Sequence, residues 1–263
     1  MGMAKLSDGC DQAPDLNSAQ GKSARFNNST GAYISLNDEE EFSFNEEGET
    51  FAVSTWIKRN QLGSDAWFAK GHTGGTLEYR VFFLGTGGLY VDFLDGSSAA
   101  SSNYRRVVYN RPEINDAALG WKHYAISFNG RNQGTTLSET VTLWVDGVIV
   151  QPTSVQGSDD DGMSDLGGQF RIGAMDLTAY HLSGFMAQFI MWSDYELTQS
   201  DVDYFYENSN GTQSPLVDNA CDYNGSDKVL AYMTLDGEAD DLSVNEWEFV
   251  AQGGVSFVTD TPS

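Results

Sequence analysis

The chain is 263 residues long and sets 38 acidic against 14 basic side chains, a formal charge of −24. A field of that sign repels phosphate backbones and anionic lipid, which excludes nucleic acid as a partner. No run approaches the roughly 18 apolar residues of a membrane span, while an aromatic content of 13% supplies a folded core in spite of the charge.

Residues 1–20 are small and polar and read as an arm. Met1–Cys10 has no apolar h-region, so the expectation is a chain without a secretory signal. Short strands begin near Lys22. Phe51–Lys58 alternates, with Phe51, Val53, Thr55 and Ile57 on one face and Ser54 and Trp56 on the other. Tyr79–Leu84 and Leu89–Phe93 flank Gly87-Gly88 as a hairpin. Trp121–Phe128 puts Tyr124, Ile126 and Phe128 on a common side. Thr140–Val145, Asp146-Gly147 and Val148–Val150 form the strongest hairpin signal, because Asp-Gly suits the positive φ angles of a type I′ turn. Trp144 falls on the polar face of this hairpin and is expected half-exposed. Phe170–Gly173 and Gly184–Trp192 add two strands, the second apolar on both faces and therefore central.

Leu197–Glu207 reads as the one helix, with Thr198 as N-cap and Asp201 three residues later as a capping-box variant. A linker at 208–227 precedes two further strands, Val229–Leu235 and Gly254–Val258, with Trp247 and Phe249 between them. About a dozen strands and one short helix predict an all-β sandwich of antiparallel strands. Two cysteines, Cys10 and Cys221, are either unrelated thiols or a bond stapling the arm to the C-terminal region.

The order of these segments resembles the laminin-G-like, or concanavalin A-like, jelly-roll family of lectins and glucanases. The residues that carry the likeness are Ala24–Leu36, Phe51–Lys58, Trp67–Gly71, Gly120–Phe128, Leu143–Val148, Phe170–Ala174 and Leu182–Trp192, closed by the helix at Glu196–Val202. The resemblance implies a jelly-roll sandwich over residues 22–210, an arm at 1–21, and an appended part at 211–263 whose strands pack on the sandwich or on a partner. Val229–Asp241 looks like the strand and Asp-rich turn that often open such domains, here placed after the helix. That arrangement resembles jelly-roll proteins of tailed-phage virions, which implies a virion-surface, extracellular location with other virion proteins as partners.

The family includes glycoside hydrolases, so paired carboxylates matter. The hydrolase branch carries Glu-x-Asp-x-x-Glu. Glu238-Ala-Asp240 begins that string, but Ser243 stands where its last Glu belongs, so no catalytic residue is assigned. Ser127 and His123 share a strand within a hydrophobic alternation and read as structural. The resemblance also suggests calcium, a hard cation that takes oxygen ligands from flexible loops. Asp159, Asp161 and Asp165 in Ser158–Asp165 are the candidate ligands. Asn27-Asn28 and Met186–Gln188 stand where family members often carry Asp.

Glycan recognition needs exposed aromatics to stack on sugars and planar polar groups for hydroxyls. The candidates expected on loops are Trp67, His72, Tyr104, Arg105, Tyr109, Tyr180 and His181. Tyr104-Arg105-Arg106 concentrates cationic charge in an acidic protein and suits an anionic sugar or a subunit contact, since Arg and Tyr also favour interfaces. The sequence therefore predicts a non-catalytic, lectin-like module that binds cell-surface polysaccharide. The alternative is a decoration or fibre-associated protein acting through protein contacts, with homo-oligomers compatible with either; a glucanase-like enzyme stands third.

Overall fold

Alternating apolar residues build sixteen strands among the described residues. The computed structural model describes residues 21–28, 31–46, 48–71, 76–85, 88–94, 104–114, 120–130, 136–157, 163–175, 180–207 and 225–262. In chain order the strands are β1 Ser23–Phe26, β2 Tyr33–Leu36, β3 Phe51–Arg59, β4 Asp65–Gly71, β5 Leu77–Leu84, β6 Gly88–Leu94, β7 Tyr104–Tyr109 and β8 Trp121–Phe128. A one-turn helix α1, Leu137–Thr140, leads into β9 Val141–Val145, β10 Val148–Val150, β11 Ser154–Gln156, β12 Gln169–Ile172 and β13 Gly184–Ser193. Helix α2, Gln199–Glu207, then precedes β14 Val229–Met233, β15 Val250–Gln252 and β16 Ser256–Val258.

The strands pair antiparallel in two sheets. The first runs β10-β9-β8-β3-β13-β1-β16, with β14 also on β13; the second runs β11-β7-β6-β5-β4-β12-β2-β15. The sheets bury one aromatic-rich core between them, including Phe51, Val53, Ile57, Trp67, Phe83, Tyr124, Ile126, Phe170 and Phe189. Among the described residues no helix is long and apolar enough to cross a membrane. Asp146 and Gly147 take φ of 50° and 78°, the pair of positive angles that the hairpin between β9 and β10 needs.

Strand β13 is the spine of the first sheet. It pairs β3 along its whole length on one side, and β1 and then β14 end to end on the other. Its register against β3 slips between Ala187 and Phe189, where Gln188 has a φ of 52°. The bulge switches which residues face inward, from Met186 to Phe189 and Met191. Ile190 and Trp192 then face outward onto Leu197, Val202 and Phe205 of the helical segment. From Phe189 to Trp192 both faces of this strand are covered, as its apolar run predicts.

The helix begins as the capping-box pattern expects. Thr198 N–H and Oγ donate to Asp201 Oδ2 at 2.8 and 2.7 Å, and Asp201 N–H returns a 3.3 Å bond to Thr198 Oγ. The helix also corrects the expectation for Trp144, which is buried beneath it and donates its Nε1 proton to Gln199 Oε1 at 2.9 Å. The strands expected as an appended part enter both sheets of this sandwich: β14 pairs β13, β16 pairs β1 and β15 pairs β2. Cys10, Cys221 and the arm lie outside the described residues.

Candidate functional site

The two outer faces of the sandwich are finished differently. The helical segment seals part of the outer face of the first sheet with apolar side chains. On the second sheet, the register sets Arg80 opposite Asp92 and Asp92 opposite Arg106, across β5, β6 and β7. Directly opposed residues share a face, so these three form one polar row. Asp92 is fully buried, and a carboxylate taken out of water needs a charged partner. It has two. Arg80 Nε donates to Oδ2 at 2.6 Å, while Arg106 donates Nε to Oδ1 at 2.5 Å and Nη2 to Oδ2 at 2.7 Å. Two guanidiniums on one carboxylate leave a net positive patch in a chain of charge −24.

The neighbouring row is aromatic. Phe82 stacks on Tyr90 at 5.4 Å between centroids, and Tyr180 meets Phe82 edge-on at 5.8 Å. Arg80 lies 4.9 Å from the Phe82 centroid, and Arg106 lies 5.0 Å from that of Tyr90, so each cation rests on a ring face. Arg80 and Arg106 keep 16% and 15% of their side chains exposed, and Tyr90 and Tyr180 are half-buried, so part of each side chain reaches solvent.

Of the sequence candidates, Tyr180 joins this cluster. The expectation that Tyr104, Arg105 and Tyr109 project from a loop is corrected: they belong to strand β7, paired to β6. Arg105 is buried, with its guanidinium 5.6 Å from the Phe93 centroid. Tyr109 is buried in the core, donates its hydroxyl to Val141 O at 3.0 Å, and has its pKa raised by burial. Trp67 is likewise a core residue, 5.2 Å from Phe68 and 5.9 Å from Tyr124, and offers no face to a sugar. His181 is buried on an isolated bridge to Ala174, its ring 6.1 Å from Tyr33. The backbone of Tyr104 opposes Leu94 at the start of β7; His72 lies outside the described residues.

Ser127 and His123 do not form a pair. Ser127 Oγ accepts from Leu197 N–H at 3.1 Å, and His123 Nε2 sits 2.8 Å from Ser54 Oγ. Full burial pushes the His123 pKa down to about 3, so its ring is neutral. Glu238 and Asp240 are exposed beside an Asp-rich turn. Its buried Asp241 accepts the N–H groups of Tyr232, Ser243 and Trp247.

Asp159 and Asp161 lie outside the described residues. Asp165 is exposed, and its Oδ1 accepts from Ser43 Oγ at 3.3 Å and Gly167 N–H at 3.2 Å. The cation beside it belongs to the chain. Lys70, fully buried, donates to Asp38 Oδ1 at 2.8 Å, Gly168 O at 3.0 Å and Glu39 O at 3.2 Å, with Glu78 Oε1 at 3.8 Å. Burial raises the Glu78 pKa; Lys70, the Leu166 N–H and the Ser43 hydroxyl oppose that rise. Among the described residues no three His, Cys, Asp or Glu side chains are grouped to hold a metal ion.

Residues 28–203 match the model of a family described as the concanavalin A-like lectin/glucanases superfamily. The chain belongs to this superfamily. No curated protein sequence matches it. The native heptameric SAP-like pentraxin from Limulus polyphemus is similar over 90% of this chain and 94% of its own, with a TM-score of 0.52 and 15% identity. Domains LG4-5 of the mouse laminin alpha1 chain align over 65% of this chain and 41% of theirs, with a TM-score of 0.45 and 9% identity. The Ruminococcus gnavus sialidase module CBM40, bound to α2,3-sialyllactose, aligns over 65% and 91%, with a TM-score of 0.41 and 10% identity. At these identities the likeness is one of fold.

The arginine cluster of this superfamily member was only partly legible in its sequence. In the sequence Arg106 stands in a basic run, while Arg80, Phe82, Tyr90 and Asp92 are hairpin residues that only the register of three strands brings together with it.

Proposed function

We propose that the chain is a non-catalytic carbohydrate-binding module whose ligand face is the outer face of β5, β6 and β7. The observation that carries this reading is the row Arg80–Asp92–Arg106 lying against Phe82, Tyr90 and Tyr180. Aromatic rings stack on the C–H faces of sugars, and guanidiniums held in place by a carboxylate present fixed donors to hydroxyl or carboxylate oxygens. Superfamily membership supports the same substrate class. In this reading the module works outside the cell as a virion component, binds cell-surface polysaccharide, and has other virion proteins as assembly partners. Support for the virion setting is the segment order of the sequence alone. The test is binding of the purified protein to envelope polysaccharides, with reducing ends assayed in parallel. Saturable binding without reducing-end release is the expected result. Release of reducing ends would move the reading to a glucanase.

A decoration protein acting through protein contacts is favoured by one observation. Edge strands β10 and β11, one on each sheet and joined by residues 151–153, expose Val148, Ile149 and Val155, with Val148 at 64%. Exposed apolar edges invite another chain. Under this second reading, Val148→Lys with Ile149→Lys abolishes particle incorporation or self-association and leaves glycan binding intact.

A further inference from the structure

The first sheet carries a second row of a different kind. Across β8, β3, β13 and β1 the register sets Trp121 opposite Lys58, Lys58 opposite Phe185, and Phe185 opposite Arg25. Aromatic and cation therefore alternate on one face of four neighbouring strands. Coverage by helix α2 reaches Trp56, two residues before Lys58, where Tyr206 stacks at 5.9 Å. Beyond that point Trp121, Lys58 and Phe185 are half-buried and Arg25 is exposed. Lys58 Nζ lies 5.5 Å from the Phe185 centroid, and the Trp121 and Phe185 rings are 6.3 Å apart.

A carboxylate already sits on this row. Asp260, two residues past β16, accepts Lys58 Nζ at 2.7 and 3.1 Å and the Trp121 indole N–H at 2.9 Å. Ser23 Oγ holds the same residue by its backbone oxygen at 2.5 Å. An ammonium and an indole N–H converging on one carboxylate, with an aromatic ring on each side, form a receptor for an acid group carried on a ring whose C–H face can stack. The carboxylate of Asp260 stays about one-third exposed at 34%, so a competing acid can approach it. Among the described residues Arg25 makes no ion pair and adds a second cation at the end of the row.

We propose that Trp121, Lys58, Phe185 and Arg25 form a binding site for a uronic-acid-type sugar, and that Asp260 occupies it as a tethered competitor. The sugar's carboxylate takes the place of the Asp260 carboxylate on Lys58 and Trp121, and its ring lies along Phe185. This site is on the sheet opposite the arginine cluster and stands or falls separately from it.

The experiment is titration of an oligogalacturonate, with its neutral methyl ester as control, into the wild-type protein and Asp260→Ala. Circular dichroism confirms that each variant is folded, and Asp260→Asn serves if the alanine variant does not fold. The expected result is binding to Asp260→Ala tighter than to wild type by about tenfold or more. The methyl ester should not bind, and adding Lys58→Ala should abolish the gain. Equal affinity of wild type and a folded Asp260 variant overturns the proposal. So does equal binding of the ester, or a poly-glutamate peptide binding where the sugar does not.

Discussion

Asp92 has no exposed surface, and only its two arginines keep its charge tolerable. Removing the acid leaves two mostly buried guanidiniums facing each other, so Asp92→Ala should lose about 3 kcal/mol of stability in a urea titration. Arg80→Ala should lose less, because Arg106 keeps a bond to each carboxylate oxygen. His123 makes the opposite kind of statement. Its folded pKa is depressed from 6.5 to about 3, so the unfolded chain takes up a proton that the folded chain refuses. The stability tied to its neutral form is present above pH 6.5 and is lost as pH falls toward 3. The stability gap between wild type and His123→Gln should therefore shrink by up to about 1.4 kcal/mol for each pH unit below 6.5. A gap independent of pH between 7 and 4 would mean that the folded ring titrates normally. The residue scale is also where sequence reading failed most. Trp67 stands at a break in the β4 register between Ala66 and Phe68, so simple alternation does not send it inward. Tyr104–Tyr109 carries arginines at adjacent positions, one facing each way, and that hides a strand from any hydropathy pattern.

At the scale of elements, the legible features were those in which local chemistry decides the conformation. The Asp146-Gly147 turn, the Thr198–Asp201 cap and the apolar strand β13 all stand where short-range rules put them. Thr198→Ala or Asp201→Ala should cost about 1 kcal/mol, measured by thermal unfolding, since each change removes two of the three bonds that cap the start of α2. The candidate site was only partly legible because its charged parts are separated in sequence by 12 and 14 residues and meet only through register. Lys70 has a similar lesson for the acidic rim. Its ammonium already holds Asp38 and the carbonyls of Glu39 and Gly168 together. Chelation should leave the thermal midpoint unchanged, whereas Lys70→Met should lower it. A midpoint that drops on chelation of the wild type would show a metal ion holding the fold.

For the whole molecule, the charge of −24 and the sandwich together define what a ligand meets. Long-range repulsion discourages polyanions, and the paired arginines offer a local exception on a face that no helix seals among the described residues. The sandwich is completed by strands from the last quarter of the chain, one in the second sheet and two in the first. Composition and strand spacing predicted an all-β sandwich, but nothing local could say that these late strands pair with β1, β2 and β13, because that pairing spans most of the sequence. The most direct test of the binding face is isothermal titration of a bound envelope polysaccharide into wild type, Arg106→Ala and Tyr90→Ala, each checked for folding. The account predicts a loss of affinity of about tenfold or more in both folded variants. Unchanged affinity in both would contradict it and remove the outer face of β5, β6 and β7 as the ligand site.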